Sequence, residues 1–600
     1  MSELLSRRDI DFLLYEWLDI ESLTDRERFV EHSRETFDAV LDLSTDIATR
    51  YFATHNKKSD AHEPRMLPHG TVALIEDIKI ALDAYTASGL IAGEFDDAVG
   101  GMQLPTTVAR ASMAFFQAAN AGTANYPFLT IANAHLIVAH GTDEQVERYV
   151  QPMLEGRYFG TMCLSEPHAG SSLADITTRA ERQPDGTYRV TGTKMWISGG
   201  DHDLSDNIVH LVLAKTPGGG AGVKSISLFI VPKYLTADSA DPQTAVRNDV
   251  VLSGLNHKMG NRGTTNAVLS FGDGTYAPGD QPGAVGYLVG EENHGLAYMF
   301  DMMNEARIGV GFLATALGYV GYLKSLEYAR TRTQGRPPDR NGPNVAPVAL
   351  IEHADVRRML LAQKSYVEGA MALGLYCARL VDEQASSSDS EQIRGAGLLL
   401  DVLTPIAKSW PSQWCLLAND LAIQVHGGYG YTRDYDVEQH YRDNRLNPIH
   451  EGTNGIQGID LLGRKARQHD GAGLRVLTAR IAATVQRAQA GNADAQRWAA
   501  QLKNVWNNVL EVTTRLVSLN DRRLALANSS IYLDAVGHTV IAWMWLDQLN
   551  ATGARRGSFY DGKRVATRYF FTYELPKVSS QLDLLASLDA TTLDMQPDWF

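Results

Sequence analysis

"TYRVTGTKMWISGG", residues 187–200, is rich in β-branched and aromatic residues and ends on two glycines. It predicts a strand running into a turn. Three further stretches share its character: "NIVHLVLAKT" (207–216), "SISLFIVPKY" (225–234) and "NAVLSF" (266–271). They follow one another without intervening helical periodicity, so they predict one β domain rather than a βαβ alternation.

The chain on either side reads as helix. Upstream, "DRERFVEHSRETFDAVLDLSTDIATRYF" (25–52) and "LIEDIKIALDAYTASGL" (74–90) repeat apolar residues at three and four. Downstream, residues 295–332, 353–381 and 391–427 form three long helical candidates, and Pro405 and Pro411 in the third predict a kink or break. A further helical segment begins near residue 495. The fold class is therefore mainly α with a central β domain. Expected boundaries are 1–157 (helical), 158–288 (β), 289–467 (helical bundle) and 468–600 (C-terminal helical). A length of 600 residues suits several domains.

Composition removes some functions. Charged residues are 21% and the formal net charge is −15, which opposes non-specific nucleic-acid binding. Three cysteines lie far apart with no CxxC, so neither a zinc site nor a disulfide framework is readable, and no metal is expected. The N-terminus has acids within its apolar pattern and does not read as a signal peptide, so a cytoplasmic location is expected. "IGVGFLATALGYVGYL" (308–323) is shorter than the roughly 20 residues that span a bilayer and reads as a core helix.

Four segments could carry chemistry. "CLSEPHAGSS" (163–172) offers small residues, hydroxyls and backbone N–H groups where strands begin. In "GTKMWISGG" (192–200), Trp196 could cover a flat ring and Ser198 bond its edge, although a core tryptophan explains it equally well. "QVHGGYGYT" (424–432) allows close backbone approach to a ligand, or is a plain helix stop. "NPIHEGTNGIQG" (447–458) holds one carboxylate, Glu451. In solvent it is an ordinary acid, but against apolar walls it becomes an effective base.

The order "SEPHAGSS", "GTKMWISGG", "YARTRTQGR" and "QVHGGYGYTRDYDVEQHYRDNRLNPIHEGTNGIQ" resembles the acyl-CoA dehydrogenases over about residues 70–465. "YLDAVGHTVIAWMWLDQ" and "FYDGKRVATRYFFTYELPK" resemble the added C-terminal helical domain of the larger members, such as the 3-methylthiopropionyl-CoA dehydrogenase-like branch. The resemblance implies FAD between the β domain and the bundle. It implies conversion of an acyl-CoA thioester to trans-2-enoyl-CoA by α-proton abstraction and hydride transfer to flavin N5.

Position by position, the resemblance makes Glu451 the catalytic base, with its backbone N–H helping to hold the thioester carbonyl. Leu164 and Ser165 would bond the flavin edge, and Trp196 and Ser198 would flank the ring. Thr453 would lie near the phosphates, and Arg332 would reach the pyrophosphate of the neighbouring subunit's FAD. Gln424 and Gly428 would touch its adenosine. Ser171, Asn304 and Arg307 match substrate-side positions, where the plainer reading of Arg307 is a helix-surface ion pair with Asp301 or Glu305. Met162 stands where several members carry tyrosine. Electron-transfer flavoprotein is the implied acceptor, and a homodimer the implied assembly. A membrane-surface contact through "ARRGSFYDGKRVATR" is not favoured, given the overall acidity. An oxidase passing electrons to O₂ and a non-catalytic acyl-CoA-binding scaffold are the alternatives.

Overall fold

The structure is a computed structural model that describes residues 3–600 except 69, 221, 236–244, 340, 341 and 343, and omits the side chains at 301 and 302. Its contacts divide the chain into two compact units. One comprises residues 39–104 and 115–306, the other 1–38, 105–114 and 307–600.

The first unit is built on one large sheet. Its strands are β1 (Tyr158–Cys163), β2 (Arg179–Arg182), β3 (Tyr188–Ser198), β4 (Asn207–Lys215), β5 (Ile226–Pro232), β6 (Val250–Leu255), β7 (Asn266–Phe271) and β8 (Ala284–Val289). Their order is β6-β7-β3-β8-β5-β4-β1, with β2 beside β3 and β4. β3 joins the two parts of this sheet. Residues Tyr188–Thr191 pair with β2, Tyr188–Val190 also pair with β8, and Gly192–Ser198 pair with β7. Gly192 is the pivot: its φ is +152°, and a Cβ there would lie 2.5 Å from Thr178 Oγ1. The inward face of the sheet buries Tyr188, Val190, Ile197, Val212, Phe229, Val231 and Phe271. Helix α1 (Ala121–His140), capped by Asn120, packs against β1, where a Cβ at Gly160 would lie 2.5 Å from Asn133 Cβ. The buried Asn133 amide donates to the carbonyls of both Thr161 and Val209, at 3.0 and 2.9 Å, tying β1 and β4 to the helix.

The second unit is helical. Its main elements are α2 (Gly295–Thr331, entering from residue 307), α3 (Ala354–Ser386), α4 (Ser390–His426), α5 (Val437–Asn444), α6 (Asn454–Asp460), α7 (Ala472–Gln489), α8 (Ala493–Val517), α9 (Ser529–Thr552) and α10 (Ser558–Tyr569). α2 is long and apolar enough to cross a membrane, but 94% of its apolar window is buried inside the protein, as in a core helix. The expected break in α4 is absent: the helix runs through both prolines for 37 residues. Pro411 has no N–H to offer the Ala407 carbonyl four residues back. That carbonyl faces Gly311 of α2, where an added Cβ would sit 2.0 Å from it. Burial on α2 thus holds the helix together across the proline. Gly318 and Gly321 continue this close approach against Cys415 and Asn419.

The C-terminal helices pack onto the bundle through indole N–H groups. Trp545 donates to Ser365 O at 3.1 Å, Trp414 to Asp534 at 3.0 Å and Trp17 to Asp547 at 3.0 Å. A buried ionic cluster adds to this. Lys563 of α10 meets Asp9 and Glu368, and Lys364 also pairs with Glu368.

Candidate active site

In the first unit, the β3 segment carries the most unusual side chain. Ile197 pairs with Ala267 and Lys194 with Leu269, so Met195 and Trp196 together oppose Val268. This is a β-bulge, which re-aims a side chain. Trp196 takes the left-handed position with φ +67° and is 58% exposed. A glycine would adopt that backbone more cheaply, so the residue carries local strain. Trp196 is not a core tryptophan. Ser198 is half-buried, with its Oγ 3.4 Å from the Asn266 amide that donates to it.

The 163–172 loop beside it is fastened from below. Glu166 and Lys194 form a buried pair at 3.0 Å. Glu166 also accepts from the N–H and hydroxyl of Thr177 and of Thr178. Burial works to raise this carboxyl, but the Lys194 charge and the threonine donors outweigh it and bring it down to about 2. Lys194 also donates to Leu164 O at 3.0 Å, and Met195 N–H to Ser165 O at 3.0 Å. Leu164 and Ser165 are thereby fixed and half-buried, while Ser171 is exposed. The sequence reading took no note of Glu166 or Lys194. The signal was a lysine alternating with apolar residues in a central strand. Asn304 is half-buried in the same unit.

In the second unit, Glu451 lies between α5 and α6 with φ +52°, followed by Gly452 at φ +84°. The side chain is half-buried. Burial raises its carboxyl above the ordinary range, while the charges of Lys408 and Arg307 act in the opposite sense. Its loop is tied on several sides. Lys408 Nζ donates to Asn447 O and Gly452 O, both at 2.7 Å. Gln457 Nε2 donates to Glu451 O at 3.0 Å. The Asn447 amide donates to Asn444 Oδ1 at 2.8 Å, and Asn444 in turn donates to Asn419 Oδ1 at 2.7 Å and Ala314 O at 3.0 Å. A ladder of buried amides thus anchors the loop to α4 and α2. His450 Nε2 lies 3.0 Å from Asn447 Oδ1, and burial followed by the Lys408 charge takes its imidazole down to about 3, so it is neutral.

Arg307 corrects the surface-pair reading. It is buried, at 3% exposure, and its Nη1 donates to Asp460 at 3.1 Å. Glu305 instead meets His135 at 3.0 Å, and the Asp301 side chain lies outside the described residues. The Nε of Arg307 is buried with no hydrogen-bond partner among the described residues. Thr453 caps α6, its hydroxyl accepting from Ile456 N–H at 3.3 Å.

Arg332, Gln424 and Gly428, also in this unit, are all exposed. The Arg332 guanidinium lies 5.7 Å from the ring centroid of Tyr429, next to Gly428. A Cβ at Gly428 would meet nothing within 4 Å. Lys408, whose Nζ ties the Glu451 loop, is the residue the sequence reading missed here. The signal was there: it is the one charged residue between Asp401 and Asp420.

Comparison with known proteins reaches most of the chain. Family profiles match residues 161–273 ("Acyl-CoA dehydrogenase, middle domain"), 293–465 ("Acyl-CoA dehydrogenase, C-terminal domain") and 477–596 ("Acetyl-CoA dehydrogenase C-terminal like"). The chain is 36% identical over 541 residues to 3-methylmercaptopropionyl-CoA dehydrogenase of Ruegeria pomeroyi, covering 89% of each. It is 30% identical over 622 aligned positions to the broad-specificity linear acyl-CoA dehydrogenase FadE5 of Mycobacterium tuberculosis, covering 98% of each. In fold it is similar to an acyl-CoA dehydrogenase complexed with FAD from Bacillus anthracis, with TM-score 0.74, 19% identity, and coverage of 93% of this chain and 89% of that one.

Proposed function

The chain belongs to the acyl-CoA dehydrogenase family and is an FAD-dependent oxidoreductase acting on acyl-CoA thioesters, and from that premise we propose that Glu451 is the base that removes the α-proton. A C–H beside a thioester is a poor acid. Its base needs raised proton affinity and a fixed direction. The observation that carries this reading is Glu451 itself: a carboxylate raised by burial, on a left-handed backbone, in a loop tied at both ends by Lys408.

Bound FAD supplies the hydride acceptor for the β-carbon. Leu164, Ser165, Trp196 and Ser198 would hold its ring, and Thr453 its phosphates. Arg332, Gln424 and Gly428 would hold the distal part of a neighbouring subunit's cofactor. The residues suit such a group. Trp196 presents an exposed indole from a strained bulge, and Gly428 leaves open space beside a cation on an aromatic face. The Glu451 N–H would stabilise charge developing on the thioester oxygen. Ser171, Asn304 and Arg307 would face the substrate, and the unsatisfied Arg307 Nε supports a ligand oxygen there.

We infer an unbranched acyl group, since the names of the two relatives above, which align over 89% and 98% of the chain, denote straight chains. Electron-transfer flavoprotein as acceptor and a homodimer complete the reading, on the family resemblance. The test is anaerobic titration of the FAD-loaded enzyme with acyl-CoAs from butyryl- to palmitoyl-CoA and with 3-(methylthio)propionyl-CoA. Bleaching of the flavin by one or more is expected, and no bleaching by any would refute the reading. Rapid peroxide formation without an added acceptor would replace the dehydrogenase by an oxidase.

A further inference from the structure

Lys408 is fully buried on α4. Among the described residues it forms no ion pair, and its Nζ bonds only the carbonyls of Asn447 and Gly452. A buried ammonium without a carboxylate partner is costly. A neutral donor could tie the same two carbonyls with less desolvation. What the cation adds is a field, and the groups within that field are Glu451, Arg307 and His450. His450 is neutral, and Arg307 is bound to Asp460. Lys408 is therefore the cation at Glu451 that no other carboxylate neutralises.

We propose that Lys408 is the positioning residue of the base: it clamps the carbonyls on both sides of residues 448–451, fixing where the Glu451 carboxylate points, and its charge favours the ionised carboxylate in the free enzyme. This rests on Glu451 being the base. Burial, aided by Arg307 and opposed by Glu451, brings Lys408 itself down to about 7, so its charge responds near neutrality. Both N–H donors of the neutral amine remain, so the clamp outlasts the charge.

The test uses FAD-loaded enzymes and the acyl-CoA from the chain-length series that reduces the wild type fastest. Flavin reduction is followed by stopped flow across pH. Lys408→Met is expected to lower the limiting rate ~100-fold, as misaligned reacting groups do. The half-saturating acyl-CoA concentration should change less than about threefold, since no substrate contact is removed. Loss of the cation should also move the acid limb of the rate profile up by about one pH unit. Lys408→Arg keeps the charge but not the single central nitrogen, so it is expected to leave the acid limb in place and lower the limiting rate ~10-fold.

A Lys408→Met enzyme with wild-type rate and wild-type acid limb overturns the proposal. If that variant does not fold, Lys408→Arg decides: a slower rate with an unmoved limb supports the clamp, and a wild-type rate overturns it. Glu451→Gln is run in parallel. If it reduces the flavin at the wild-type rate, the base assignment fails. If it does not, while the Lys408 variants behave as wild type, only the positioning role fails.

Discussion

Glu451 sits on a backbone that non-glycine residues adopt at a cost of about 1–3 kcal/mol. Its carboxyl is raised by burial even though two cations act against that. The sign of this shift fixes the pH behaviour. The protonated, inactive form persists above the ordinary carboxylate value of 4.5, so the rate of flavin reduction should climb with pH along a limb lying above that value. A limb at or below it, measured by stopped flow, would contradict the assignment. Trp196 makes a separable prediction. Its side chain is largely exposed, so Trp196→Ala should change stability by no more than about 0.5 kcal/mol in denaturant melts. The same variant should lose FAD at dilutions where the wild type retains it, measured by filtration and absorbance. Glu451 was legible in the sequence because its neighbours form a recognisable motif. Lys408, forty-three positions earlier, shows in the sequence only as a lone charge in an apolar helix; its tie to the Glu451 loop does not, because sequence separation hides a contact that only helix packing creates.

The elements show the same division. β3, β4, β5 and β7 were legible because each is a β-branched run bounded by turn residues. β2, "RAER" in sequence, was not, since it is a mostly exposed strand defined by its neighbours rather than by its own composition. The prolines of α4 misled for a related reason. Local chemistry argues for a break at Pro411, but the carbonyl it releases is covered by Gly311 of α2. Packing overrides the local preference there. Gly311→Ala should push α2 and α4 apart and destabilise the protein by about 1–3 kcal/mol, read from the thermal transition. An unchanged transition would show that the two helices do not approach this closely. At Gly428, where an added Cβ meets nothing, an alanine should leave the transition in place.

At the scale of the whole molecule, the C-terminal helices extend the bundle rather than hang from it. Lys563 brings the final segment against Asp9 and Glu368, with Gln548 accepting from it at 3.0 Å. Lys563→Met would leave two carboxylates buried without that cation, at a cost of about 3–5 kcal/mol. Asp9→Asn combined with Glu368→Gln should recover much of the loss, and a calorimetric melt of the three proteins checks both outcomes. This cluster was invisible in the sequence, where its members lie at positions 9, 368 and 563. The order of helical, β and helical segments was visible, because periodicity survives without knowledge of contacts. All of these features serve one chemical event, the removal of an α-proton by a carboxylate held in place. The most direct measurement is anaerobic mixing of FAD-loaded Glu451→Gln enzyme with the acyl-CoA that bleaches the wild type fastest. Retained FAD with bleaching slowed about 10²–10⁴-fold is the expected result, and bleaching at the wild-type rate would contradict it.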